Sequence, residues 1–439
     1  MSKVVFDGFN LALEEGTGVA TYARMVIKVA HELGHKVGVI YASPHTPPKN
    51  PVLREIGFFD EKRATKRSIT REVLHAVTDQ IRYHLPVRPT AVELGGVVVT
   101  RQFNDIIPLQ DEIFVARNLF YNAELHFALS KAFVELAFDE PPDIFHCTYP
   151  LPLRTKSACN IYTIHDLVPL RLPFTTLDNK RRMFRLLKKI AAEADHIVTV
   201  SENSKRDIIS LLSVDEKRIT NTYQAVTFSK ESIERTEDEI VEQLAGSFGL
   251  EFDEYLLFFG ALEPKKNVGR LIEAYLASGV DVPLVLVAGG GWQNEKEAIL
   301  LEALIGNEPN SIATRQPRVK RQVLRFRYMA PSNLVTLIRG ARAVVFPSLY
   351  EGFGLPLLEA MVLGTPVVTS REASLPEIAG EAALLVDPYN TDEIARAITR
   401  IVNDADLRVE LSQRGRTQAA KFSVDRYRER VQALYASLG

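Results

Sequence analysis

Cysteine is nearly absent: Cys147 and Cys159 are the only two in 439 residues. They are too few for a disulfide scaffold, and without a second pair they complete no zinc site. Such a chain suits a reducing compartment. Neither charge sign is in excess, since 53 Lys plus Arg stand against 55 Asp plus Glu for a formal net charge of -2. That balance argues against a general nucleic-acid binder. The opening, Met1-Ser2-Lys3-Val4-Val5-Phe6-Asp7, lacks the long apolar run of a signal peptide or a spanning helix. The expectation is a cytoplasmic protein, with peripheral contact at the inner face of the membrane as a second expectation. What the chain does have is 46% hydrophobic and 25% charged residues, an ordinary globular balance. At this length two cores, and so two domains, are expected.

The order of the pattern predicts the architecture. Lys3–Asp7 reads as a strand, Gly16-Thr17-Gly18 as a turn, Val19–Leu33 as an amphipathic helix stopped by Gly34, and Val37–Tyr41 as a second strand. This is a βαβ unit with a parallel sheet. Strand-like runs at Ile144–His146, Asn160–His165 and His196–Ser201 alternate with helical segments near 118–138, 180–194 and 202–212. Between about 44 and 117 the rhythm breaks at Pro44, Pro47, Pro48 and Pro51 and the charged run Glu61–Arg67, which reads as an insertion. After a polar stretch near 228–247 the βα rhythm restarts and continues to Asn403. The fold class is therefore α/β, with two Rossmann-like domains facing across a cleft. Ligands in such sheets sit beyond the C-terminal strand ends, so the loops there should face the cleft.

The sharpest segment runs Pro347-Ser348-Leu349-Tyr350-Glu351-Gly352-Phe353-Gly354-Leu355-Pro356-Leu357-Leu358-Glu359. Pro356 suits a first helical turn, so a strand feeds a loop and then a short helix. The N–H groups of Phe353, Gly354 and Leu355 would point into the cleft, where a helix N-terminus favours an anion. Glu351 precedes that helix and Glu359 lies about one turn into it, so both reach one bound molecule. Two carboxylates beside an anion site suit a ligand with phosphates and hydroxyls, as a nucleotide sugar has.

This arrangement resembles the retaining glycosyltransferases of the large family 4, of GT-B fold and mannosyltransferase-like, whose signature is Glu, seven residues, Glu within a Glu-Gly-Phe-Gly-Leu-Pro context. Gly260-Ala261-Leu262-Glu263-Pro264-Lys265-Lys266-Asn267 is similar to the family's second landmark, whose cations bind the donor diphosphate; this carries over to Lys266 and to Lys265, where Arg is commoner. Tyr162-Thr163-Ile164-His165-Asp166 resembles the strand-ended His-Asp that faces the donor sugar. Gly16-Thr17-Gly18 matches the turn that lets backbone approach donor phosphates or acceptor, and Thr199-Val200-Ser201-Glu202-Asn203-Ser204 matches a further landmark.

The resemblance implies Glu351, His165 and Lys266 as catalytic, with Gly18, Lys265, Tyr328, Met329, Leu334, Phe353, Gly354, Leu355 and Glu359 also binding donor. It implies Gly16, His146 and Ser201 on the acceptor side. The usual Phe-Leu-Gly turn before the base-binding loop reads Phe326-Arg327-Tyr328-Met329 here, a departure at Arg327. The implied division is 1–228 for the acceptor-side domain, 229–422 for the nucleotide-sugar domain, and 423–439 for a helix crossing back. The implied reaction is metal-independent transfer of a hexose, with GDP-mannose the leading donor, to a glycan or lipid-linked acceptor in polysaccharide or lipopolysaccharide biosynthesis. No cofactor, metal or nucleic acid is implied.

Ordinary structural readings stand beside these. His165 and His146 could be satisfied core histidines, Ser201 a helix N-cap, and Asp404-Ala405-Asp406 a surface turn despite its metal-like spacing. A lysine pair at a helix N-terminus opposes the dipole, which a bound diphosphate would explain. The second strand ends without an acidic residue to hold a ribose, which disfavours a dinucleotide fingerprint at Gly16-x-Gly18. Gly289-Gly290-Gly291-Trp292 lacks a Walker lysine. In 180–190, Met183, Leu186, Leu187 and Ile190 form one stripe flanked by cations, either packed inward or laid on anionic lipid. Two other functions remain: a nucleotide-sugar epimerase or hydrolase, which would form product without acceptor, and a non-catalytic subunit, which would bind donor without turnover.

Overall fold

The computed structural model describes residues 2–11, 18–60, 83–99, 107–177, 179–289, 323–327 and 329–438. Gly16, Tyr328, Gly290-Gly291-Trp292 and the run 61–67 lie outside them.

The first sheet is built from β1 (Lys3–Asp7), β2 (Lys36–Ser43), β3 (Thr90–Val92), β4 (Glu112–Arg117), β6 (Ile144–Cys147), β8 (Cys159–Thr163), β9 (His196–Thr199) and β10 (Ile219–Asn221). Their order is β10-β9-β8-β6-β1-β2-β4-β3, parallel except for the antiparallel edge strand β3. A small parallel pair, β5 (Val134–Glu135) and β7 (Leu153–Arg154), lies beside it. The second sheet contains β11 (Leu256–Phe259), β12 (Leu284–Val287), β13 (Val323–Phe326), β14 (Ala343–Phe346), β15 (Val367–Ser370) and β16 (Leu384–Val386) in the order β13-β12-β11-β14-β15-β16. Runs such as Leu-Leu-Phe-Phe in β11 and Leu-Val-Leu-Val in β12 are buried along their whole length. Sheets covered on both faces by helices require such unbroken apolar strands.

Three expectations need correction. Glu112–Arg117, assigned above to the end of an insertion, is β4 of the main sheet, paired with β2 from Gly38–Glu112 to Ser43–Arg117. Its buried Ile113-Phe114-Val115-Ala116 supplied the signal, which the preceding prolines and charges obscured. The helical segment near 118–138 ends at Ser130, because Lys131 turns left-handed at φ 61°, and Val134–Glu135 is a strand. Finally, Ala405–Ala419 is a helix that the pattern did not predict; Leu407, Leu411, Gly415 and Ala419 face the core and most other positions are polar.

The helix Val424–Leu438 lies on the first-domain helix Gly18–Glu32, burying Tyr427, Val431, Leu434 and Tyr435. Arg428 pairs with Glu32 at 2.8 Å, and Tyr435 Oη lies 2.9 Å from His146 Nδ1. One continuous apolar cluster therefore runs from β1 and the Gly18–Glu32 helix through this terminal helix into the second sheet.

Candidate functional site

The second sheet contributes two loops. After β11 the chain turns at Gly260 and passes through Lys265 and Lys266 to Asn267, which is buried in the left-handed region at φ 62°. Asn tolerates this conformation better than most residues. Asn267 Nδ2 donates to the carbonyls of Pro347 at 3.0 Å and Pro388 at 2.7 Å, tying the lysine loop to the one after β14. Leu349 N donates to Lys265 O at 2.7 Å in the same seam. Consequently Lys266 Nζ lies 2.7 Å from Glu351 Oε1 and 4.9 Å from the centre of the Phe346 ring.

Both members of that pair are nearly buried. Burial pushes the Glu351 carboxyl up, but the charges of Lys266 and Lys265 outweigh it and hold the group below the usual carboxylate range. Lys265 loses by burial and gains more from Glu351, Asp166 and Glu263, so its pKa is raised. Glu359 differs. Burial pushes it up to about 7, with only the Lys266 charge pulling against it. Near neutrality the two carboxylates therefore hold different protonation states, Glu351 ionised and Glu359 part-protonated.

The helix Leu355–Leu363 begins after Gly354, at φ 104°, where a Cβ would meet Leu375 Cδ2 at 2.7 Å. Glycine is required there. Buried Ser374 Oγ lies 2.8 Å from Glu351 O and 3.0 Å from Phe353 O, pinning the loop through its carbonyls. Among the described residues no acceptor lies on the N–H groups of Phe353, Gly354 and Leu355. Backbone donors left without an acceptor at a helix N-terminus, with Lys266 nearby, suit an anion.

From the first domain, His165 follows β8. Its Nε2 donates to Thr148 O at 2.9 Å, which leaves Nδ1 as the acceptor of a neutral ring, and burial lowers its pKa. Thr148 is fixed in turn by Asp7 at the end of β1, which accepts from Thr148 N and, at 2.8 Å, from Thr148 Oγ1. Burial pushes Asp7 up to about 6. A Cβ on Gly352 would fall 2.8 Å from His165 O and from Asp166 Cβ, and one on Gly18 would fall 3.2 Å from Leu355 Cδ1. These contacts close the cleft: Gly18, His165, Lys266, Glu351 and Leu355 are brought together from both domains.

Other expected residues have structural partners of their own. His146 is buried, with Nδ1 2.9 Å from Tyr435 Oη and Nε2 2.9 Å from Thr163 Oγ1, so both nitrogens are taken and it does not face an acceptor. Burial pushes it down to about 3. Ser201 caps the helix Glu202–Leu212, accepting from Ser204 N at 3.0 Å. The Phe353 ring packs against Tyr223 and Phe422, leaving only its backbone for a ligand. Met329 and Leu334 are partly buried against the core beyond β13. Asp404 caps the following helix, accepting from Leu407 N at 2.9 Å. The stripe of the Lys180–Glu193 helix packs inward through Leu186, Leu187 and Ile190. Sequence reasoning missed Asp7 and Thr148, and quoted Asn267 without a role. A lone Asp closing an apolar strand was the available signal.

The family described as "Glycosyl transferases group 1" matches residues 245–418, and "Glycosyltransferase Family 4" matches residues 97–228. O-antigen chain mannosyltransferase B of Escherichia coli is 34% identical over 278 residues, covering 62% of this chain and 68% of that one. The serotype-specific mannosyltransferase WbdA of Escherichia coli is 29% identical over 279 residues, 62% of this chain but 32% of its own length. Anabaena HepE in complex with UDP and glucose superposes with a TM-score of 0.65 at 15% identity, over 100% of both chains. Sucrose-phosphate synthase of Thermosynechococcus elongatus also gives 0.65, at 18% identity over 100% and 99%. At these identities the superpositions speak for the fold alone, two facing α/β domains of the GT-B type.

Proposed function

The chain belongs to the glycosyltransferases that join a Family 4 segment to a group 1 segment, and from that premise we propose that it moves a hexose from a nucleotide sugar to a glycan or lipid-linked acceptor with retention, in the assembly of a polysaccharide. Mannose from GDP-mannose is the leading donor, supported by the mannosyltransferases among its relatives. The observation that carries the reading is the buried Lys266–Glu351 pair beside the unsatisfied helix N-terminus, facing His165 across the cleft.

In this reading the leaving diphosphate lies on Lys266 and the N–H groups of Phe353, Gly354 and Leu355, with Lys265 as a further charge and Gly18 closing from the other side. Preorganised charge of this kind lowers the cost of breaking the anomeric bond. Glu351 holds sugar hydroxyls, Glu359 the ribose hydroxyls, and neutral His165 accepts a hydrogen bond from a sugar hydroxyl at Nδ1. Met329 and Leu334 lie beside the base. In this reading no double-displacement nucleophile is assigned among the described residues: attack comes from the front face and the departing phosphate oxygen takes the acceptor proton. The cations and helix terminus do the work of a metal, and activity survives EDTA.

A lipid-linked acceptor would bring the protein to a bilayer. Arg181, Arg185 and Phe184 are exposed on the Lys180–Glu193 helix, and Phe174 and Leu177 in the preceding loop are 72% and 73% exposed. An apolar and cationic face of this kind suits anionic lipid. Among the described residues no helix is long and apolar enough to cross a membrane.

The deciding experiment is a thermal-shift panel of nucleotide sugars followed by mass spectrometry and NMR of the products. Mannose transfer with an unchanged anomeric configuration is expected. Product formed without acceptor would favour an epimerase or hydrolase, and binding without turnover over a broad acceptor panel a non-catalytic subunit.

A further inference from the structure

Glu351 is flanked by two residues that are bonded to the opposite domain. Tyr350 Oη, in the second domain, donates to Asp207 Oδ2 on the first-domain helix Glu202–Leu212, and Asn203 Nδ2 of that helix donates to Tyr350 Oη at 2.9 Å. On the other side, Ser204 Oγ donates to Gly352 O at 3.3 Å. Asp207 is itself buried and held by Arg171, whose Nε donates to Oδ1 at 2.8 Å. The arrangement is specific. Tyr350 meets an oriented, charge-paired carboxylate rather than solvent, and hydrogen bonds to charged groups are the stronger kind.

We propose that Tyr350 and Asp207 form an interdomain clamp that positions Glu351, so that the first domain sets the reacting geometry of a carboxylate carried by the second. The assignment rests on the proposed transferase function for its kinetic consequence. Its structural consequence is independent of that function. Neither residue belongs to the proposed diphosphate site, whose Lys265, Lys266 and helix N-terminus all lie in the second domain. Clamp and phosphate site are thus separable. Both are positioning residues, acting through Glu351.

The test uses the full chain carrying Tyr350→Phe, Asp207→Asn, and both. Phe keeps the ring and removes only the donor hydroxyl. Each single variant is expected to lower kcat by about tenfold or more, with affinity for free GDP and UDP within about twofold of wild type. The double variant should be little worse than either single one, because the two side chains form one interaction. Small-angle scattering with saturating GDP or UDP should show a wider distribution of dimensions for the variants than for wild type. Wild-type kcat together with unchanged scattering would overturn the clamp. A parallel loss of GDP or UDP affinity and melting temperature would also overturn it, by assigning the pair to general stability. A wild-type protein that transfers no sugar defeats the transferase reading instead, and the scattering comparison still decides the clamp.

Discussion

Lys266 and Glu351, 85 residues apart in the chain, meet through a 2.7 Å contact in which both side chains are almost fully withdrawn from water. A buried pair this close holds both groups charged and leaves a single unpaired charge when either is removed. In the proposed function a diphosphate arriving at Lys266 would share a cation that already has a partner, and binding and reaction would be linked through one ammonium group.

Lys266→Ala should weaken free GDP and lower turnover together, the latter on the order of 10²–10³. Glu351→Gln keeps the shape beside the sugar and should retain nucleotide affinity while losing most transfer. Isothermal titration and steady-state kinetics on the two variants check this split. Wild-type turnover in Glu351→Gln would remove it from the reacting centre.

Glu359 gives a pH signature. In the proposed role ribose hydroxyls would donate to the ionised carboxylate, and burial places its titration at about 7. GDP affinity should therefore fall as pH drops below that value, by up to about tenfold per unit. The phosphate of GDP titrates in a similar range, so Glu359→Gln is the comparison. A pH dependence as steep in that variant as in wild type would contradict the role.

His146 makes a stability prediction. Its folded pKa of about 3 lies below the reference 6.5, so below that reference the unfolded chain binds a proton that the folded protein refuses. The contribution is complete above 6.5 and is lost as pH falls toward 3, by up to about 1.4 kcal/mol per unit. Urea unfolding across this range should show His146→Gln less stable near neutrality, with a shallower loss toward acid. Equal slopes would mean that His146 is not held neutral.

Gly352→Ala tests closure. The added Cβ would lie 2.8 Å from the backbone oxygen of His165 across the cleft, so the domains must part or the loop must shift. Transfer should drop by at least about tenfold, with a wider scattering distribution and folding intact by circular dichroism. Full activity would show that the approach is not needed.

For the bilayer, Arg181→Glu with Arg185→Glu should release the protein from phosphatidylserine vesicles in a sedimentation assay, at about 1 kcal/mol per lost cation. Phe174→Ser should weaken binding without changing its salt dependence. Equal partitioning onto neutral and anionic vesicles would refute charge-led docking.

The chain alone determined the two-sheet architecture, because unbroken apolar runs such as 284–287 and 343–346 are compatible with few arrangements besides buried parallel strands. The Glu351 and Glu359 spacing and the glycine-led helix start were equally local, so the loop and its carboxylates were visible at once. The insertion was misread at Glu112–Arg117, because a strand's partner is not written beside it: pairing with β2 depends on residues 38–43, more than seventy positions earlier. Histidines show the same limit. His165 and His146 both follow apolar strand residues, and only tertiary structure separated one at the cleft from one bonded at both nitrogens. The opposite shifts of Glu351 and Glu359 arose there too, since they depend on which carboxylate the folded chain places against Lys266. Local pattern selects an element and its exposed chemistry; burial and the identity of the facing charge depend on contacts across the whole chain.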